Sequence, residues 1–128
     1  MLDIIFYSQN QEQSELIEVS ADFYQWLIES EFSRIGKSEL TEMKIDGEFE
    51  QVPVIKLEGI NRRKFSDFFR DAIVQESDKM LNKLGSSSSK QEYEDSIYKL
   101  NLLNQLRKLI ENEQYKYLQR FSAHLNQI

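Results

Sequence analysis

The chain of 128 residues carries 16 lysines and arginines against 22 aspartates and glutamates, a net charge of −6, with 40% hydrophobic and 12% aromatic residues. That composition is expected of one soluble domain, 1–128, with a single modest core. Cysteine is absent, which excludes disulfides, thiol catalysis and cysteine metal sites, and the longest apolar run, Ile4-Ile5-Phe6-Tyr7, is far too short for a membrane span.

Residues 2–7 read as a strand with Leu2, Ile4 and Phe6 on one face. The polar stretch 8–14 reads as a loop and residues 16–19 as a second short strand. Ser20 is placed to cap a helix over 21–35, with Asp22 in the first turn, where a negative charge suits the helix dipole. Phe23, Tyr24, Leu27, Ile28 and Ile35 form its apolar face, with Trp26 and Phe32 at the margins, and Gly36 ends it. Residues 39–58 form the strand region. Asp46-Gly47 is a strong turn dipeptide, and a three-residue loop, 46–48, sets Ile45 opposite Phe49. Val52, Val54, Ile55 and Leu57 continue as a further or bent strand, and Pro53 places an edge or a bulge there.

Two long amphipathic helices follow, 61–84 and 89–125, separated by Gly85 and the serine connector within 85–89. In the first, Phe65, Phe68, Phe69, Ala72, Ile73, Met80, Leu81 and Leu84 recur at spacings of three and four. Asn61 is its expected cap, with Ile60 and Phe65 as a hydrophobic staple, and Gly85 its expected terminator. In the second, the stripe runs through Tyr93, Ile97, Leu100, Leu103, Leu106 and Ile110 and continues through Tyr117, Leu118, Phe121 and Leu125. A straight helix of that length outreaches a globule of this size, so a bend or break is expected near Glu111-Asn112-Glu113. The fold class is α+β: short N-terminal strands, a helix and a central β-hairpin, packed on an antiparallel pair of long helices.

Chemistry-bearing motifs are few. The lone histidine, His124, lies near the end of the sequence and reads as a helix-terminal surface residue. Zinc ligands are lacking, and no phosphate-cradling glycine loop or nucleophile elbow occurs. Oxygen-ligated metal or two-acid chemistry would fall to Glu39, Glu42, Asp46, Glu48 and Glu50, or to Glu92, Glu94 and Asp95; neither group has EF-hand spacing. No cofactor is expected. The charge is divided unevenly: residues 1–60 hold 13 acids and 4 bases, −9, and residues 61–128 hold 9 acids and 12 bases, +3. The acidic half repels nucleic acid and anionic membrane and attracts a basic protein surface. Arg62-Arg63-Lys64 is expected to be neutralised by the acids of 39–58, the alternative being a phosphate or an acidic partner held at the helix start.

In size, lack of cysteine and catalytic motifs, and acidic N-terminal half, the chain resembles the small acidic immunity proteins that bacteria make against toxic effectors. That class has many unrelated folds, so the resemblance assigns no residue. It implies a protein that covers a basic toxin, such as a nuclease; the lack of catalytic motifs, of a membrane span and of a secretory signal adds the expectation of a non-enzymatic cytoplasmic protein. From the sequence itself, Glu39, Glu42, Asp46, Glu48 and Glu50 would face the lysines and arginines of that partner, with Phe49 as an apolar anchor. The alternatives are an adaptor that self-associates through the C-terminal helix, and an enzyme with a carboxylate site.

Overall fold

The computed structural model describes residues 2–84 and 89–123. Five strands, β1 (Leu2–Ser8), β2 (Gln13–Val19), β3 (Glu39–Ile45), β4 (Glu48–Lys56) and β5 (Tyr115–Ala123), form an antiparallel sheet in the order β2-β1-β5-β4-β3. Three helices, α1 (Ala21–Glu29), α2 (Ile60–Leu84) and α3 (Lys90–Glu111), join it, so the fold is α+β with two long C-terminal helices. None of the helices is long and apolar enough to cross a membrane among the described residues.

β1 is buried on both faces, from Asp3 to Tyr7 without interruption. A continuous rather than alternating apolar run is what a strand covered on both sides requires. On one face Ile4 and Phe6 join Ile17, Ile55 and Leu118 against Phe65, Phe69, Leu103, Leu106 and Ile110 of the helices. On the other, Ile5 and Tyr7 meet Met43 and Val54 in a smaller second core. β4 pairs with β5 only at Ile55–Leu118 and Lys56–Tyr117. Beyond that point the β3–β4 hairpin leaves the ladder, and its inner side closes the second core. Pro53 lies in this unpaired stretch of β4, where a missing N–H costs no bond to β5.

Several expectations are corrected. The first helix stops at Glu29, because Ser30 adopts an extended conformation, its N–H donating to the Leu27 carbonyl. The Ser30 hydroxyl then caps a 3-10 turn, Glu31–Arg34. That turn carries Phe32 from the expected margin to the centre of the core, where its ring lies 5.4 to 5.9 Å from those of Phe65, Phe68, Phe69 and Phe121. The second strand begins earlier than expected, at Gln13. The Asp46-Gly47 turn is a two-residue loop with φ of 51° and 83°, and Ile45 pairs with Glu48, not Phe49. Two left-handed residues match the strand twist, and the mixed Met43–Glu50 pair is tolerated because the exposed Glu50 carboxylate reaches water. α2 starts at Ile60, one residue early; Ile60 is 62% exposed and makes no staple. Asn61 lies inside the helix and donates its amide to the Lys56 carbonyl.

The largest correction concerns the last element. The expected break is present, since α3 ends at Glu111 with Asn112 as its cap. The chain beyond it is not helix but β5, inserted between β1 and β4. Tyr115, Leu118 and Phe121, three apart, fit a helical spacing; in the strand they share the core because the pairing of β5 with β1 shifts register twice. Aromatic residues on a pleated surface and an open slot between two strands decide for the strand. The expected glycine terminator, the serines of 85–88, His124 and Leu125 lie outside the described residues.

Arginines hold these elements together. The Arg62 guanidinium is not neutralised by the hairpin acids; it donates to the carbonyls of Leu57, Ile110 (2.7 Å), Asn112 (3.2 Å) and Tyr115 (2.8 Å). One side chain thus satisfies the C-terminal end of α3 and fixes the ends of β4 and β5 to it. Arg120 on β5 donates to the carbonyls of Phe32 (2.7 Å) and Ile35 (2.8 Å). Glu111 takes both Arg70 (2.8 and 2.9 Å) and Arg107 (3.1 Å).

Candidate partner-binding surface

The six residues expected at the partner surface all lie on the β3–β4 hairpin and are all exposed. The two-residue turn sets which of them act together, because directly paired residues share a face. Glu42 and Phe49 fall on the outer face, with Leu40, Lys44, Gln51 and Pro53. Glu39, Glu48 and Glu50 fall on the inner face, at the margin of Met43, Val52 and Val54. Asp46 is at the turn. The expected set is therefore divided between two sides of one ribbon. The outer face is the more apolar in its anchors, for Leu40 is 72% and Phe49 67% exposed.

Glu50 also acts inward, on Tyr7. Tyr7, fully buried, donates its hydroxyl to Gln119 Oε1 at 2.6 Å. Burial first, and the Glu50 carboxylate second, push the tyrosine up to about 12.

Residues the sequence did not single out complete the surface. Lys44 N–H donates to the Gln11 carbonyl at 2.7 Å, the Gln11 side-chain amide donates to the Glu42 carbonyl at 2.9 Å, and the Glu12 and Lys44 backbones form an isolated parallel β-bridge. The turn between β1 and β2 is thereby joined to the hairpin. Between them opens a polar recess of about 360 Å³, with Glu12, Glu15 and Asp46 on its walls and Lys44 as its one cation. More than thirty positions separate Glu12 and Glu15 from Asp46, and the stretch 8–14 reads as an isolated loop, so no local signal brings them together.

A second recess, of about 240 Å³, lies between α1 and α3. Trp26 and Phe23 form its apolar wall, and the exposed Asp22 and Asp95 its rim. Lys99 fills part of it, with Nζ 4.0 Å from the Trp26 ring centroid and 3.3 Å from the buried Glu76, which also accepts from Ser96 at 3.0 Å. The lysine is thus held by an internal carboxylate and an aromatic face. Glu94 pairs with Lys90 and Asp95 accepts from Gln91 along the first turns of α3. Among the described residues no group of three or more His, Cys, Asp or Glu is placed to hold a metal ion.

The fold and this surface define a small α+β domain with an acidic, aromatic-anchored edge hairpin. No protein-family model matches the chain, and neither a curated protein nor a solved structure matches it.

Proposed function

We propose that the chain is a small acidic protein-binding module, an immunity protein that neutralises a basic bacterial toxin by covering it. The observation that carries this reading is the outer face of the β3–β4 hairpin, where Leu40 and Phe49 are exposed beside Glu42 and next to an acid-lined recess. Exposed aromatics anchor an interface and surrounding charges steer the partner to it. The acidic excess of residues 1–60 gives that steering its sign.

The test is co-purification with the product of the neighbouring gene. The expected result is a 1:1 complex with a basic protein that is toxic when expressed alone. Glu42→Lys with Glu48→Lys slows association and reduces its salt dependence, and Phe49→Ala speeds dissociation, each roughly tenfold. Binding unchanged by all three substitutions removes the hairpin from the interface. A second reading, self-association through the long helices, is favoured by Val74 and Leu81, which are 59% and 63% exposed on α2, and by Tyr93, 45% exposed on α3. Sedimentation showing only monomer at high concentration would refute it.

A further inference from the structure

The sheet has two outer strands, and they are treated differently. β3 is sealed at its turn end, where Gln11 and Glu12 engage Lys44 and Glu42. β2 pairs with β1 on one side only. Among the described residues, no backbone hydrogen bond from another element meets residues 14–18 on the outer side. The next such contact is at Ser20, whose N–H donates to the Tyr98 hydroxyl at 3.0 Å. Past the end that approaches β3, the outer N–H and C=O groups of β2 therefore stand open along one side. The strand, Gln-Ser-Glu-Leu-Ile-Glu-Val, contains no proline, glycine or lysine that would discourage pairing.

Its charges decide the occupant. A second copy pairing antiparallel about the middle of β2 would set Glu15 of each copy opposite Ile17 of the other and Glu18 opposite Ser14, which gives neither glutamate a charge partner. A strand carrying lysine or arginine three positions apart would place a cation opposite each glutamate. The cation opposite Glu15 would also reach the recess walled by Glu12, Glu15 and Asp46, at the end of β2 nearest the hairpin tip. We infer that the outer edge of β2 accepts an extended basic segment as a sixth strand, with one lysine or arginine seated in that recess. This rests on the reading of the protein as a binder of a basic partner, and adds how the partner is held: by main-chain pairing, continuous with the hairpin surface.

The probe is a blocked heptapeptide, Thr-Lys-Val-Thr-Lys-Val-Thr, with a control in which both lysines are glutamate, added to the full chain labelled with nitrogen-15. The basic peptide is expected to shift the amides of residues 14–18 and slow their hydrogen exchange, while the control leaves them unmoved. Glu15→Lys with Glu18→Lys, both at exposed positions, is expected to weaken the peptide roughly tenfold while leaving the circular dichroism spectrum unchanged. Shifts confined to β3–β4 would overturn the inference and leave the hairpin reading standing. Equal shifts with both peptides would overturn the basic occupant. Absence of any shift up to millimolar peptide, together with unprotected β2 amides in the complex with the neighbouring gene product, would overturn the strand addition itself; failure to obtain that complex bears on the proposed function instead.

Discussion

Replacing Arg62 with alanine removes the donor shared by four carbonyls. The Asn112 carbonyl is exposed and turns to water at little cost, but the other three are part-buried. A hydrogen bond to a charged group is worth about 1.5–3 kcal/mol, and water entering the gap recovers part of it. At about 1–1.5 kcal/mol for each part-buried carbonyl, less what is regained by no longer desolvating a guanidinium, the net loss is about 3 kcal/mol. Burial does press on Arg62, whose pKa it lowers, but the side chain stays charged. An unfolding entropy of about 2.1 cal/mol/K per residue gives about 0.27 kcal/mol/K for this chain, so the melting temperature should fall by about 11 °C. Urea titration and thermal melts followed by circular dichroism read both quantities. Arg62→Lys keeps the charge but cannot fan out to three elements at once, and should recover less than half the loss. A fall of less than about 1 kcal/mol for alanine, or wild-type stability for lysine, would refute the role assigned to this side chain.

Tyr7 is held neutral by burial, with a pKa of about 12 against an ordinary 10.0. Its contribution is therefore complete below about pH 10 and is lost as pH rises through about 12, so the alkaline limb of the stability curve should flatten in Tyr7→Phe, a difference visible in urea midpoints across that window. Glu111 is shifted the other way: the Arg70 hydrogen bond, opposed by burial and aided by Ser66 and Arg107, lowers its pKa from 4.5. Its contribution is present above 4.5 and lost as pH falls through the lowered value, and Glu111→Gln should abolish that part of the acid limb in the same assay. Gly36 has φ of +65°, and a Cβ there would lie 3.0 Å from Asn61 Oδ1; Gly36→Ala should cost about 1–2 kcal/mol in chemical denaturation, and a neutral result would show that the 3-10 exit can relax.

Local periodicity and turn chemistry place most of the elements, though not the register of the Asp46-Gly47 turn, where a two-residue loop replaces the expected three. The existence of α2 and α3, the Ser20 cap and the first strand follow from short-range patterns, whereas Leu81 and Tyr93 of the expected apolar stripes are exposed and Asn61 is not the cap of α2. The expectation failed where the deciding partner is distant. The apolar positions from Tyr115 to Phe121 follow the helical spacing, and it is pairing with β4 and with β1, the latter more than a hundred positions away, that selects the strand. Arg62 sits among cations at a helix start, which suggests a charge partner; its partners are uncharged carbonyls assembled from three elements, and these leave no mark in the side-chain sequence. The candidate surface is similar. The acids of the hairpin are legible as a cluster, but which of them share a face depends on one residue of register, and the contribution of Glu12 and Glu15 depends on a contact between two turns.

The position of β5 also dictates when this protein can become itself. Tyr7 and Gln119, bonded across the middle of the sheet, stand 112 positions apart in the chain. Until β5 has been made, β1–β2 and β3–β4 are two separate ribbons with no ladder joining them, and a ribbon of two strands is marginal in water. The helices can form early, but the face they are meant to cover is not yet assembled. Joining strands so far apart delays the reward for closing the loop, so the sheet closes only after β5 has been made.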